Sequence, residues 1–469
     1  METKLSYNPE KKMKRAIRFG DHLFAPAAAL TFALVFLFGP GQSRAETRTL
    51  TLDEAIALAV EQNSSLKIAG SKVREGIEKR KGVRADYYPR LSNESLAFHT
   101  SANRLVEIPA GSLGTIPGTG AFPAQDISID QGSDSAFLTN ITLTQPLTPL
   151  LKIHQADKIA LAEQQIASAE SHKAKTDVVF DTHRLFYGLV IARKQRDAAS
   201  AAVAAGEQAL REAKDAVATG KMLEVAAIGS KATLLQNRYA LLSAEVQIGD
   251  LNSELNDLLG LPLDTHINPL DPPPPETGSQ TRESFVQEAL ERNPSIKAAQ
   301  ETVNKAERGL KAAYLEYVPD INLFGRYDHQ EGVPFLPNDI GTIGVKMTWD
   351  IFDWGKRRAG VAQRREQLAQ ANENLRRIKN RIEVEADKAY RKLEQTKSLI
   401  AAARETLALQ KENLRNKGNE LKARTATEAQ YAYSIAAVKK AEYEEAQALL
   451  GYNLAVADLE RIVGSYANP

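Results

Sequence analysis

The chain has 469 residues, 43% hydrophobic and 25% charged, with 60 Lys and Arg against 59 Asp and Glu, a formal charge of +1, and no cysteine. Near-neutrality argues against a dedicated nucleic-acid binder, whose signature is a basic excess. A mean hydropathy of −0.35 leaves no room for a bundle of membrane-spanning helices. The lack of Cys removes disulfides, Cys-ligated zinc, iron–sulfur clusters and thiol nucleophiles.

Lys4, Lys11, Lys12, Lys14, Arg15 and Arg18 precede an apolar run from Leu23 to Leu37. That run is shorter than the ~20 residues of a helical span. Ser43 and Ala45 then put small residues at the −3 and −1 positions of a cleavage site. Residues 1–45 therefore read as a secretory signal peptide, with a membrane anchor as the competing reading. Cleavage after Ala45 leaves 53 basic and 56 acidic residues, net −3, in an exported chain. With no Cys to acylate, no bacterial N-terminal lipid anchor is expected.

From residue 46 the sequence is duplicated. Thr51–Leu91 aligns with Thr281–Ile321 at an offset of 230, with identities that include Thr51/Thr281, Asn63/Asn293, Tyr87/Tyr317 and Pro89/Pro319. Thr144–Gly260 aligns without gaps with Thr348–Gly464 at an offset of 204, pairing Lys152/Lys356, Glu224/Glu428, Tyr239/Tyr443 and Gly260/Gly464. The first copy thus carries 26 extra residues, all between Leu91 and Thr144. Insertions collect in loops. The organisation is a first repeat at 46–261, a linker at 262–280 and a second repeat at 281–469. The linker contains Pro272–Pro275, four consecutive prolines that favour an extended spacer.

In each copy the elements follow one order. Thr51 with Glu54 three residues on is a capping-box helix start, and Ala55, Ile56, Ala59 and Val60 follow at helical spacing. Pro89 and Pro319 end the two helical tracts. The period then changes to two. Ile321, Leu323, Gly325 and Tyr327 alternate with Asn322, Phe324 and Arg326; Ile343, Val345, Met347 and Trp349 alternate with Gly344, Lys346, Thr348 and Asp350. Phe137, Thr139, Ile141 and Leu143 do the same in the first copy, while the strand after Pro89 is less regular. Two strands of about ten residues per copy, each pair a hairpin, match the length of membrane β-strands, although each alone also fits an ordinary antiparallel sheet. The remainder is helix: Leu151 to about Val217 and Arg357 to about Leu421 contain no proline. A helix of about 65 residues is ~100 Å long and requires a coiled-coil or tube arrangement. The return helix shows a heptad stripe of Ile228, Ala232, Leu235, Tyr239, Leu242 and Val246. The hairpin turns fall at Ala218–Met222 and Ala423–Thr427.

Four strands do not close a barrel, and open sheet edges are not tolerated in lipid. Three copies would supply twelve strands, within the outer-membrane range, and would gather the helices into a tube. This order of elements resembles the TolC-like outer-membrane efflux protein family. The resemblance rests on Thr51 through Ile56, Asn63, Tyr88 with Pro89, Tyr317 with Pro319, and the strand-to-helix junctions Leu147–Leu151 and Ile351–Gly355, and it covers residues 48–465. It implies a mainly α fold with a membrane β-barrel portion: a homotrimer with a 12-stranded barrel and a periplasmic α-helical tube. It further implies an exit duct in a Gram-negative outer membrane that serves a tripartite efflux or type I secretion system with a periplasmic adaptor and an inner-membrane pump.

On that resemblance, Thr219, Gly220, Lys221, Met222 and Leu223 with Arg424, Thr425, Ala426 and Thr427 are the candidate adaptor-docking tips. The family's tip has a Gly followed six residues on by an Asp. Gly220 matches, but Arg424 stands in the second copy, and Ala226 and Gln430 stand where the acids are expected. Glu224 and Glu428 are the nearest candidates for tube-mouth acids. No catalytic constellation, cofactor site or metal site stands out. His154, His172 and His183 share a helix face but lie ~27 Å and ~16 Å apart, too far for one ion. The glycines between Gly111 and Gly120 lack the strand-to-helix context of a phosphate loop. A structural coiled-coil protein of the cell envelope is the alternative, and it leaves the paired strands and the duplication without a role.

Overall fold

The computed structural model describes residues 47–101, 105–130, 134–271, 281–333 and 336–465. The expected signal peptide, and residues 272–280 of the proline-rich stretch, lie outside them. The first repeat begins with β1 (Thr47–Leu50), α1 (Leu52–Gln62), α2 (Ser64–Ala85) and β2 (Arg90–His99). Four short strands follow, β3 (Leu105–Ile108), β4 (Thr115–Ile116), β5 (Gly120–Ala121) and β6 (Ile127–Asp130). The repeat continues with β7 (Ser135–Pro146), α3 (Pro149–Ala218) and α4 (Glu224–Leu259). After β8 (His266–Pro269) the second repeat runs through α5 (Arg282–Arg292), α6 (Pro294–Leu315), β9 (Asp320–Glu331), β10 (Asp339–Thr348), α7 (Lys356–Lys422) and α8 (Glu428–Val463). The 26 extra residues of the first copy form the β3–β6 and β4–β5 pairs between β2 and β7.

Local chemistry explains the helix boundaries. Thr51 accepts from the Glu54 amide while the Glu54 carboxylate accepts from the Thr51 amide at 2.8 Å, a complete capping box. The helical tract after it breaks once. Asn63 leaves helical geometry at ψ 126, and its side-chain oxygen accepts from the amides of Ser65 and Leu66, so it ends α1 and caps α2. Asn293 repeats this between α5 and α6, taking the amides of Ser295 and Ile296. Each Asn also donates across the fold: Asn63 to the Leu258 carbonyl at 3.1 Å and Asn293 to the Ile462 carbonyl at 2.7 Å. The Asn63/Asn293 identity is therefore structural: each fixes a bend and ties it to the end of the returning helix.

The 70-residue α3 and the 67-residue α7 run the full length of the helical body, ~105 Å and ~100 Å. In the half next to the strands, packing runs from α2 to α3, from α3 to α6 and from α6 to α7. In the other half it runs from α4 to α3, from α3 to α8 and from α8 to α7. Glu163 of α3 bridges the flanking helices, receiving Lys79 of α2 at 2.7 Å and Lys305 of α6 at 2.8 Å. The midsection is where the short helices dock. Phe186, Leu189, Leu255, Leu259 and Ile267 are fully buried there with Leu50, Ala55 and Ala59, and the β1–β8 parallel pair seals this core. Phe285, Ala289, Ile382, Ala386, Ile462 and Val463 form its counterpart in the second repeat. Side chains of this size contribute ~1.5–3 kcal/mol each on burial.

The two hairpins merge into one antiparallel sheet of order β10-β9-β7-β2, joined where β7 pairs with β9. The expected hairpins are therefore present, and the sheet crosses from one repeat to the other. Among the described residues, β2 and β10 each keep one edge without a strand partner. No helix among the described residues is long and apolar enough to cross a membrane.

Candidate functional site

Two features carry the chemistry of this chain: the sheet and the tips of the two long hairpins. The register assigns each sheet residue to a face. Val345 opposes Leu323, Ile343 opposes Gly325, and Leu143 opposes both Gly325 and Leu91. One face is thus built from Ile343, Val345, Met347, Leu323, Tyr327, Ile141 and Leu143. The other carries Lys346, Thr342, Asn322, Arg326, Asp328, Asn140, Thr142, Ser92 and Glu94, with Phe324, Leu138 and Leu96 among them. Ile343, Val345 and Met347 are exposed on the apolar face, an arrangement that water disfavours. Asn93, Ser95 and Thr139 interrupt this face, and they satisfy one another: Ser95 donates to Asn93 at 2.8 Å and lies 2.7 Å from the Thr139 hydroxyl. That mutual bonding explains why β2 shows no clean alternation.

At the other end, the first tip closes α3 onto α4. Thr219 ends the helix with its hydroxyl on the Asp215 carbonyl, and Gly220 adopts φ 68. The amides of Lys221 and Met222 return to the Ala216 carbonyl, and Leu223 starts α4 without a side-chain cap. Met222, Leu223 and Val225 are exposed there, Leu223 by 80%. In the second tip Arg424 takes the left-handed position at φ 59, the amides of Thr425 and Ala426 return to the Glu420 carbonyl, and Thr427 forms a capping box with Gln430. All nine expected tip residues therefore lie on these two turns or at their helix junctions.

The two turns are not level. Gln208 of α3 donates to Glu428 at 3.4 Å, and the Glu212 carboxylate accepts from the Ala429 amide at 2.7 Å. The start of α8 thus sits beside residues 208–212, while α3 continues to Ala218. Because α3 runs six residues past Glu212 before the first turn begins, the first turn projects beyond the second. Glu224 and Glu428, the expected mouth acids, each begin a return helix, but Glu428 is engaged by Gln208. Gln208 and Glu212 were not legible as tip residues, because their partners lie more than two hundred positions away.

Midway along the body, His183 is packed edge-on against Tyr187, ring centroids 5.5 Å apart, with Nδ1 3.3 Å from the tyrosine hydroxyl. Burial lowers the His183 pKa to about 4 and raises that of Tyr187 to about 12. His183 is therefore a neutral, partly buried residue near neutral pH. Among the described residues no group of three or more His, Cys, Asp or Glu side chains is placed to hold a metal ion.

The chain thus joins a four-stranded sheet, with exposed apolar residues and no strand partner at either edge among the described residues, to ~100 Å helical hairpins. Residues 285–465 match the family model described as outer membrane efflux protein. The fold is that of solved outer-membrane channels. The channel OprN aligns with 15% identity over 88% of this chain and 89% of its own, TM-score 0.71. The Campylobacter jejuni channel CmeC aligns with 14% identity over 88% and 85%, TM-score 0.68. The Vibrio cholerae outer membrane protein VceC aligns with 15% identity over 88% and 96%, TM-score 0.68. No curated protein matches the chain significantly. The chain therefore has the fold of these channels, and the family match lies in its second repeat, over residues 285–465.

Proposed function

We propose that the chain is the exit duct of a tripartite efflux or type I secretion system. Three copies pool their sheets into a twelve-stranded barrel in the outer membrane of a Gram-negative cell, and their helices form a tube through the periplasm. The observation that carries this reading is the pair of unpartnered edges on β2 and β10 in a sheet whose apolar face is exposed. Lipid supplies no partner for an open edge, so the edges pair with further copies until the barrel closes. The helices support the same closure. The heptad stripe of α4 faces away from α3: Ile228, Leu235, Tyr239, Leu242 and Val246 are exposed, whereas Leu234, Ala244 and Leu255 are the buried side chains. A second copy's α7, the opposite edge of the helical layer, covers that stripe.

Transport through such a duct is passive, and its direction is set by the pump behind it. The tips are the docking end for the periplasmic adaptor, and the first turn makes the leading contact because it projects further. Opening follows when docking spreads the tips. The test is reconstitution of the purified protein in planar bilayers together with gel analysis of unheated and heated samples. Discrete conductance steps from a heat-dissociable trimer support the duct; a soluble species without pore activity overturns it.

A further inference from the structure

Glycine inside a strand weakens it and marks a place where something else comes close. Of the glycines in β9 and β10, Gly325 and Gly341 have open space where a Cβ would stand. Gly344 does not: a Cβ there would lie 3.0 Å from both Cε1 and Cζ of Phe324. The two residues are directly opposite in the register, so the Phe324 ring leans off its own strand and covers the backbone of β10. An aromatic laid over a glycine of the neighbouring strand is a way sheets make good the missing side chain. Phe324 is half-buried in this position, although it belongs to the polar face, with Asn322, Arg326, Thr342 and Lys346.

The pair is particular to the second repeat. The duplication puts Glu94 and Asn140 at the equivalent positions, at offsets of 230 and 204, and these two are also opposite each other, in the β2–β7 register. The first repeat thus has two polar side chains where the second has one large apolar side chain folded over a residue with none. Phe324 has little other room on the sheet. Asn322 and Arg326 flank it along β9, and Thr144 stands opposite it on β7. A side chain at residue 344 would therefore turn the ring away from the sheet.

We propose that Phe324 and Gly344 set the bore of the duct within the barrel, the glycine keeping the ring flat against the wall so that bulky solutes pass. This rests on the reading that the polar face lines a pore made by three copies. Twelve strands at the usual spacing and tilt close into a wall ~12 Å in radius, and an erect phenylalanine reaches about half of that. Three erect rings at one depth obstruct such a passage, whereas three flat rings leave it open.

The test uses the full chain in intact cells. The chain has no cysteine, so Asn322→Cys gives a single labelling site on the polar face, between Phe324 and the helices. A compact sulfonated maleimide and a maleimide carried on a short poly(ethylene glycol) are added from outside. Both are expected to label Asn322→Cys. Adding Gly344→Val is expected to slow the bulky reagent several-fold and leave the compact one unchanged, at the same trimer level. Adding Phe324→Ala to that variant restores the bulky label. Exclusion of the bulky reagent from Asn322→Cys itself, unchanged bulky labelling with Gly344→Val, or slowing that persists without Phe324 overturns the assignment. Phe324→Ala alone reads the same point even where Gly344→Val fails to assemble. It is expected to leave bulky labelling as it was, and a several-fold acceleration means that the ring already stands in the passage, which also overturns the assignment. The pore reading fails separately: Asn322→Cys that neither reagent reaches in cells, although both label it in the unfolded protein, defeats that reading and the bore with it.

Discussion

Asn293 gives the sharpest test of how the repeats hold their shape. The side chain is 5% exposed, caps α6 through Ser295 and Ile296, and donates to the Ile462 carbonyl at 2.7 Å. Asn293→Ala removes the cap, worth ~1 kcal/mol, and leaves a buried carbonyl without its donor, ~1–3 kcal/mol. The expected loss is therefore ~2–4 kcal/mol. Asn293→Asp keeps the cap acceptor but turns an oxygen toward the Ile462 carbonyl, so it isolates the second contribution. Asn63→Ala is expected to cost a similar amount, because Asn63 makes the same bonds with Leu258. Denaturant unfolding of the purified protein in detergent, followed by far-ultraviolet circular dichroism, reads all three. If Asn293→Ala unfolds within ~0.5 kcal/mol of wild type, the variation usual for surface substitutions, the bend is not held by this residue.

Three further outcomes follow from the same geometry. Gly220→Trp is expected to abolish efflux in cells while trimer level is unchanged, because it places a bulky residue at φ 68 on the leading turn; wild-type efflux contradicts the docking assignment. Arg424→Gly relieves the left-handed backbone of the second turn by ~1 kcal/mol, so amide exchange at Thr425 and Ala426 slows, and faster exchange refutes the strain. His183 is held neutral by burial, with a pKa near 4 in the fold against 6.5 ordinarily. The unfolded chain binds the proton first, so stability is full above pH 6.5 and falls by ~3 kcal/mol as the pH drops toward 4. In His183→Gln that acid-dependent fall flattens, as acid unfolding curves will show; an unchanged slope removes His183 as its source.

Much of the architecture was written in local pattern. The capping signal at Thr51, the change of period after Pro89 and Pro319, and the turns near Gly220 and Arg424 are short-range features, and the gapless duplication fixed their spacing. What escaped was long-range. The β7–β9 pairing that fuses the hairpins joins residues from different repeats, and no local signal encodes it. The Asn63 break reads as an ordinary polar residue in a helix until its cap onto Ser65 and Leu66 is seen. The β1–β8 pair joins the start of the first repeat to a strand within the expected linker, and at four residues per strand it is too short to show a period. The α4 heptad stripe is real, but its direction depended on which face α3 takes: Leu234 and Ala244 fill that contact, and the stripe is left exposed. At the tips, the turn residues were legible, whereas the offset between them emerged only from the contacts of Gln208 and Glu212 with the start of α8.

The central claim is that the open edges of the sheet belong to copies of the same chain. The chain has no cysteine, so an introduced pair reports without background. The most direct measurement places one cysteine on β2, by Ser92→Cys, and a second in turn on β10, by Thr342→Cys, Gly344→Cys or Lys346→Cys, all on the polar face, and oxidises intact cells. The account expects a disulfide-linked ladder ending at the trimer for one of these registers, in the outer-membrane fraction and dissolved by reductant. Monomer in every pairing contradicts it.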